Sequence, residues 1–346
     1  MNNNRLEITH IAGTPRACGQ AYGERFEPLI MGFLRSQMAP DKKRLAFARR
    51  CWPYVENSAP NAAALLRGMA EASHLSLEHL LLLTLHEEFV HLPHCTAFAA
   101  TGGATRGGKT IVAQNWDWST SLYPWPGLLR LSIKGKPAAA LYHYPGLWAC
   151  AGVNDAGLAL MWTGSGYFPK VPPVVGVPTY VLIAEILLRK STDQAVAYLK
   201  GVRHAGSFIF FLADAGGNTA VVEAVPGKIA VQQSCSAITR ANHYMCPEVV
   251  RCSKQQLKRG HGSLKKHGRM NDLVEASKGR INIAITKRIL TDRVTTWPGL
   301  NQFPGGKEAV TLNGMTIDSL FAVCNDRVLW TCRGGREPGP WQNISL

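Results

Sequence analysis

Cys95 opens a strand-like run, Cys95-Thr-Ala-Phe-Ala-Ala-Thr101, and a Gly-rich turn from Gly102-Gly103 to Gly107-Gly108 follows it. A second apolar run, Thr110 to Trp118, then carries Gln114, Asn115, Trp116 and Asp117. Two such runs joined by a short Gly-rich turn predict a hairpin. It would bring a thiol at the start of one strand and a carboxylate at the end of the other to one sheet edge. A cysteine entering a strand is ordinarily a small core hydrophobe. This one follows Leu92-Pro93-His94, a break that halts the preceding helix, and it precedes small residues. A thiol so placed can attack the carbonyl before it, and hydrolysis of that ester frees the α-amine of Cys95. The amine, with an ordinary pKa of about 7.7–8.0, can take the thiol proton, so that nucleophile and base occupy one residue. The bond expected to break is His94–Cys95.

Asp117 sits between two tryptophans, 22 residues beyond Cys95. It is expected to hold the α-ammonium or a substrate amine through a charge-assisted hydrogen bond; a turn aspartate capping backbone amides is the plainer alternative. Asn115 shares its strand face and is expected to brace it. In Ile238-Thr239-Arg240-Ala241-Asn242-His243-Tyr244, Asn242 at a strand end offers the amide donor that a tetrahedral oxyanion needs. His243 would be the base in a conventional Cys/His pair, which a terminal amine makes unnecessary. Gly152 to Leu158 reads as a structural hairpin turn with Asn154-Asp155 at its tip. Thr163, in the strand after it, is expected to line the pocket, with Gln114, Trp116 and His243 as further supporting residues.

These residues need a frame. At 346 residues and 46% apolar content the chain can bury one large core or two modest ones. The first 90 residues read as mostly helical, from Arg16 to about Met38, from Asp41 to about Tyr54, and from starts at Pro60 and Ser76. Gly19 and Gly23, four apart on the first helix, would permit close packing. Beyond Cys95 the period changes to two, with strands expected at 95–101, 109–117, 128–134, 138–144, 157–163, 207–213, 219–225, 228–233, 236–240, 318–324 and 327–332. Helices are expected at 179–190, 192–200 and about 281–292, and 248–280 reads as loop because of Gly260, Gly262 and Gly268. The expectation is one α+β domain over 1–346, helices outside and antiparallel sheet inside.

The formal charge is +15, much of it between Arg251 and Arg293, where Lys254, Lys258, Arg259, Lys265, Lys266 and Arg269 crowd together. A solvated basic loop explains that run; nucleic acid, anionic lipid or an acidic cosubstrate would also suit it. No aromatic residue interleaves Arg251 to Arg280, which weighs against single-strand binding. The nine cysteines form no tight CxxC pairs, so no metal site is expected. With no apolar leader and no run of 18 apolar residues, a reduced cytoplasmic setting is expected.

Five short stretches in order carry a resemblance: Cys95-Thr-Ala-Phe-Ala-Ala, Gln114-Asn-Trp-Asp-Trp118, Gly152-Val-Asn-Asp-Ala-Gly-Leu158, Phe210-Phe-Leu-Ala-Asp214 and Arg240-Ala-Asn-His-Tyr244. They resemble the acyl-coenzyme A:6-aminopenicillanic acid acyltransferase family of N-terminal nucleophile hydrolases. Gly13 to Gly23 is similar to that family's first helix, and the similarity runs through nearly the whole chain. The resemblance implies a four-layer αββα sandwich of two antiparallel sheets flanked by helices. It also implies self-cleavage into 1–94 and 95–346, with Cys95 as nucleophile, Asp117 orienting the amine and Asn242 as oxyanion donor. The related bile-salt hydrolases usually carry Arg where this chain has Gln114, and no late catalytic arginine finds a match here. The expected function is an enzyme of linear amide bonds working through a Cys95 thioester. Water as acceptor makes it an amidohydrolase, and an amine makes it an N-acyltransferase. Its expected partner is a small-molecule amide or acyl donor, with no cofactor beyond acyl-coenzyme A as a possible cosubstrate. The competing readings are a papain-like Cys95/His243 hydrolase without self-cleavage, and a basic nucleic-acid or anionic-membrane binding module.

Overall fold

The computed structural model describes residues 4–90, 95–165, 171–293, 299–303 and 314–346. His94, on the amino side of the bond expected to break, lies outside the described residues. A short strand β1 (Ile8–Gly13) leads into helices α1 (Pro15–Gln37), α2 (Lys42–Ser58), α3 (Pro60–Ser73), α4 (Leu77–Thr84) and α5 (His86–Phe89). Their starts follow from local chemistry. Thr14 Oγ1 accepts from Ala17 N at 3.3 Å, Asp41 Oδ1 accepts from Arg44 N at 2.8 Å, and Pro15 and Pro60 occupy first-turn positions where no N–H is needed. The glycine spacing on α1 has a packing reason. A Cβ added to Gly19 would lie 2.0 Å from the Leu65 carbonyl oxygen, and one on Gly68 2.0 Å from that of Arg16, so α1 and α3 touch backbone to backbone.

The change of period at Cys95 is a change of architecture. Strands β2 (Thr96–Gly102), β3 (Gly108–Ser119), β4 (Gly127–Ile133), β5 (Ala139–Tyr144), β6 (Leu147–Asn154) and β7 (Ala159–Thr163) come first, then α6 (Thr179–Ile186) and α7 (Thr192–Gly201). After them come β8 (Phe208–Ala213), β9 (Thr219–Val225), β10 (Lys228–Ser234) and β11 (Ala237–Arg240), then α8 (Pro247–Ser253), α9 (Gly262–Ser277) and α10 (Ile283–Leu290). The chain closes with β12 (Gly314–Val323), β13 (Val328–Arg333) and β14 (Gln342–Ser345). An eight-stranded sheet runs β1-β4-β5-β6-β7-β8-β9-β10, and a six-stranded sheet runs β11-β2-β3-β12-β13-β14.

Alternation sorts the six-stranded sheet into two faces. Ala97, Ala99, Val112, Leu320 and Ala322 join the core shared with the eight-stranded sheet. Phe98, Ala100, Ile111, Ala113, Phe321 and Val323 pack instead under Met270 and Val274 of α9 and Ile289 and Leu290 of α10. Helices therefore cover the outside of both sheets, and the αββα sandwich expected from the sequence is what forms. Fully buried aromatics such as Phe98 and Phe321 anchor it; truncating either to alanine would cost about 3–5 kcal/mol.

Four details depart from the sequence expectations. The eight-stranded sheet is not wholly antiparallel, since β1 pairs with β4 in parallel, Ile8 beside Leu128. β6 extends the region read only as a turn, and Asn154 then shapes that turn by accepting from Leu158 N at 3.0 Å. The same side chain donates to the carbonyls of Leu187 (2.9 Å) and Arg189 (2.6 Å), and α6 stops at Ile186 and not at 190. Most consequentially, the basic stretch read as loop is largely helix, because Met270 and Val274 supply an apolar stripe that the charges and glycines obscured.

Candidate active site

Cys95 lies one residue ahead of β2, and Thr96 pairs with Asn115 across the hairpin, so Cys95 and Asp117 flank the same strand ends. The thiol is 6% exposed, and its Sγ donates to the Asp117 carbonyl oxygen at 3.8 Å. Burial pushes its pKa up to about 12, with the Asp117 carboxylate adding to the rise. The bond to the Asp117 carbonyl and the Lys266 charge oppose it, while Glu87 of α5 adds further negative charge. The thiol is therefore protonated and a weak nucleophile.

The Asp117 carboxylate is fully buried and held from two sides. Its Oδ1 accepts from Thr316 Oγ1 at 2.6 Å, and its Oδ2 accepts from Lys266 Nζ. Burial raises the Asp117 pKa, and the Lys266 charge, the Lys266 hydrogen bond and the Thr316 hydroxyl all pull it back. Thr316 reaches it because the β3–β12 register, Thr316 beside Asp117, shifts before Asp318 meets Trp116. Asn115 does not brace Asp117. Its Nδ2 donates to the Leu290 and Leu300 carbonyls, both at 2.9 Å, and its Oδ1 accepts from Ser319 Oγ at 2.7 Å. It pins the end of α10 to the sheet.

Asn242, just past β11, is stitched to the end of β7. Its Nδ2 donates to the Gly164 carbonyl at 2.8 Å, while Thr163 Oγ1 donates to the Ala241 carbonyl at 2.7 Å. These two bonds tie the two sheets together at the end of β11 and use Thr163 as a clasp. Asn242 N donates to Ser263 Oγ at 2.9 Å, and His243 Nδ1 lies 2.8 Å from the same oxygen. Ser263 and Lys266 are three apart on α9, so one helix touches both the Asn242 and the Asp117 ends of the site. A buried ion pair, Arg240 Nε to Glu223 Oε1 at 2.7 Å, fixes the strand end before Asn242. Glu223 Oε2 also accepts from Met245 N (2.9 Å) and Cys246 N (2.8 Å).

His243 has the wrong partner for a Cys/His pair. Its bond goes to Ser263, while the thiol's goes to Asp117, and burial with the neighbouring His267 drives its pKa down to about 4. Gln114 spans the two sheets by accepting from Trp162 N at 2.7 Å. Trp116 packs among Tyr142, Tyr144 and Trp162, with ring centroids 5.4–5.8 Å away. Gln114 Nε2 and Trp116 Nε1 are buried and have no hydrogen-bond partner among the described residues.

Sequence reasoning missed Lys266, Thr316 and Ser263. The sequence reading places Lys266 in a basic loop, yet it is 1% exposed. The signal was present: Lys266, Met270 and Val274 recur every four residues, one face of a helix. Thr316 and Ser263 carried none.

Comparison with known proteins adds to this geometry. The chain is similar in structure to a variant of the conjugated bile acid hydrolase from Clostridium perfringens, at 15% identity and a TM-score of 0.51, covering 72% of this chain and 92% of that one. Penicillin V acylase from Agrobacterium tumefaciens is 13% identical, with a TM-score of 0.48, covering 73% of this chain and 86% of that one. At such identity the first likeness speaks for the fold alone. No curated protein sequence matches the chain. A family profile described as acyl-coenzyme A:6-aminopenicillanic acid acyl-transferase matches residues 104–336. The match takes in Asp117, Thr163, Asn242 and Lys266 but begins after Cys95, a narrower span than the near-complete similarity expected. It covers about two thirds of the sequence, and the chain belongs to the acyl-coenzyme A:6-aminopenicillanic acid acyl-transferase family.

Proposed function

We propose that this protein is a self-processing enzyme of linear amide bonds with Cys95 as its nucleophile, hydrolysing N-acyl amines or passing the acyl group to another amine. The observation that carries the reading is the meeting of a strand-opening thiol with the backbone carbonyl of Asp117, whose carboxylate is buried on the same strand end, and Asn242 fixed by the same helix that holds that carboxylate. Maturation begins when the Cys95 thiol adds to the His94 carbonyl carbon and the peptide nitrogen leaves it. The resulting thioester is cut by water, releasing a His94 carboxylate and a free amine on Cys95. The 1–94 and 95–346 segments then stay together, because β1 is hydrogen-bonded into the eight-stranded sheet and α1 and α3 pack beside it.

In turnover the α-amine takes the Sγ proton and the thiolate adds to the substrate carbonyl. An asparagine amide carries two N–H groups. Asn242 uses one on Gly164 and has the second for the oxyanion. Collapse of the tetrahedral intermediate expels the substrate amine, which takes its proton from the α-ammonium. Water or a second amine then attacks the thioester. None of these steps calls for a metal or redox cofactor; an acyl-coenzyme A donor would enter at the same thioester. Asp117 orients the amine, and Gln114, Trp116 and Thr163 shape the surroundings.

Intact-mass analysis tests the first half of this reading. Two fragments, one ending at His94 and one beginning at Cys95, are expected from the wild type and absent from Cys95→Ala. A single unbroken wild-type chain that is nonetheless active on N-acyl amides would refute it.

A further inference from the structure

Lys266 takes part in none of those steps, yet its ammonium is buried against the carboxylate of Asp117, the residue whose backbone carbonyl meets the Cys95 thiol. The Lys266 and Asp117 side chains are only 2% and 1% exposed. Two charges withdrawn so far from water are tolerable only as a pair. The charged groups acting on Cys95 are Asp117 from β3, Lys266 from α9 and Glu87 from α5. His243, after β11, faces His267 of α9 with ring centroids 5.4 Å apart, and Arg240 and His261 lie beside that pair. Thr316 of β12 adds a neutral hydroxyl.

We infer that Lys266 is a positioning residue that keeps the α-amine of mature Cys95 in its free-base form at neutral pH, by neutralising Asp117. The inference rests on reading Cys95 as a new N-terminus. A carboxylate acting alone 4–6 Å from an amine would favour the ammonium and raise its pKa by about 1–3 units. An amine so held has no lone pair for the thiol proton. With Lys266 paired to the carboxylate, the amine meets a pair of little net charge. It stays basic enough to accept the Sγ proton and yield thiolate and ammonium. Before cleavage the same nitrogen is an uncharged amide, so the Lys266–Asp117 pair is already complete and nothing need rearrange.

The test compares the pH dependence of kcat/KM on an N-acyl p-nitroanilide for wild type, Lys266→Gln and Lys266→Arg, each shown by mass to be cut before Cys95. In Lys266→Gln the acid limb should move up by about one pH unit or more, while Lys266→Arg should keep the wild-type limb. An unmoved limb in cut Lys266→Gln overturns the inference. If Lys266→Gln fails to fold or to be cut, wild-type mature protein carrying ¹⁵N-cysteine reports the amine directly by NMR titration. A midpoint at or below about 8 is expected, and one a unit or more higher overturns the inference. A wild-type chain never cut at Cys95 defeats the underlying function instead, and mass alone tells the two failures apart.

Discussion

Replacing Asp117 by asparagine removes one charge and almost no volume, and the structure says where the consequence falls. The Thr316 hydroxyl can still donate to the asparagine oxygen, but the new amide nitrogen faces Lys266 Nζ, donor against donor. A buried ammonium that loses its counter-charge costs about 3–5 kcal/mol, in line with a close pair's attraction of about 4 kcal/mol at an effective dielectric of 20. Against a typical stability of about 5–15 kcal/mol the variant should still fold near room temperature. The measurement is a double-mutant cycle of Asp117→Asn and Lys266→Met by urea unfolding. It is run in the Cys95→Ala background, which removes the proposed nucleophile and makes the transition simplest to read. Each single change should destabilise strongly and the double change much less than their sum, a coupling of about 2 kcal/mol or more. Effects that add to within about 0.5 kcal/mol, the behaviour of independent sites, would refute the pairing. With Cys95 in place, Asp117→Asn should also lose most turnover; wild-type rates would remove the role given to that carboxylate.

Two further outcomes follow from the geometry. Thr163→Val deletes the buried bond to the Ala241 carbonyl. It should lower stability by about 1–3 kcal/mol and reduce kcat at least tenfold by loosening Asn242, with unchanged kcat refuting the clasp. His143 is buried against Tyr22, and burial lowers its pKa to about 4. Its folded pKa lies below the unfolded value of about 6.5, so the stability it contributes is present above that value and lost as pH falls toward 4. Urea midpoints between pH 7 and 5 should therefore show about 2 kcal/mol less loss for His143→Gln than for the parent chain. Equal losses would show that His143 is not the titrating group.

What the sequence determined by itself is local and periodic. The hairpin that presents Cys95 and Asp117, the helical opening and the placing of helices outside and sheet inside were legible in it, because alternation and helical spacing state which face of each element must be buried; the four-layer αββα arrangement was implied by the family resemblance alone. The turn at Asn154-Asp155 was legible for a related reason: turn chemistry is written into a few adjacent residues. The partners of the site residues were decided elsewhere. Asn115 shares a strand face with Asp117 as its spacing required, but which carbonyls it would meet depended on where α10 came to rest. Thr316 is 199 residues from Asp117 and Lys266 is 149 from it, and only the packing of α9 and β12 onto one sheet brings them together. A lysine reads as solvated in a chain because charge shuns burial; it can be buried only when the fold delivers a carboxylate to it, and that meeting exists in three dimensions alone.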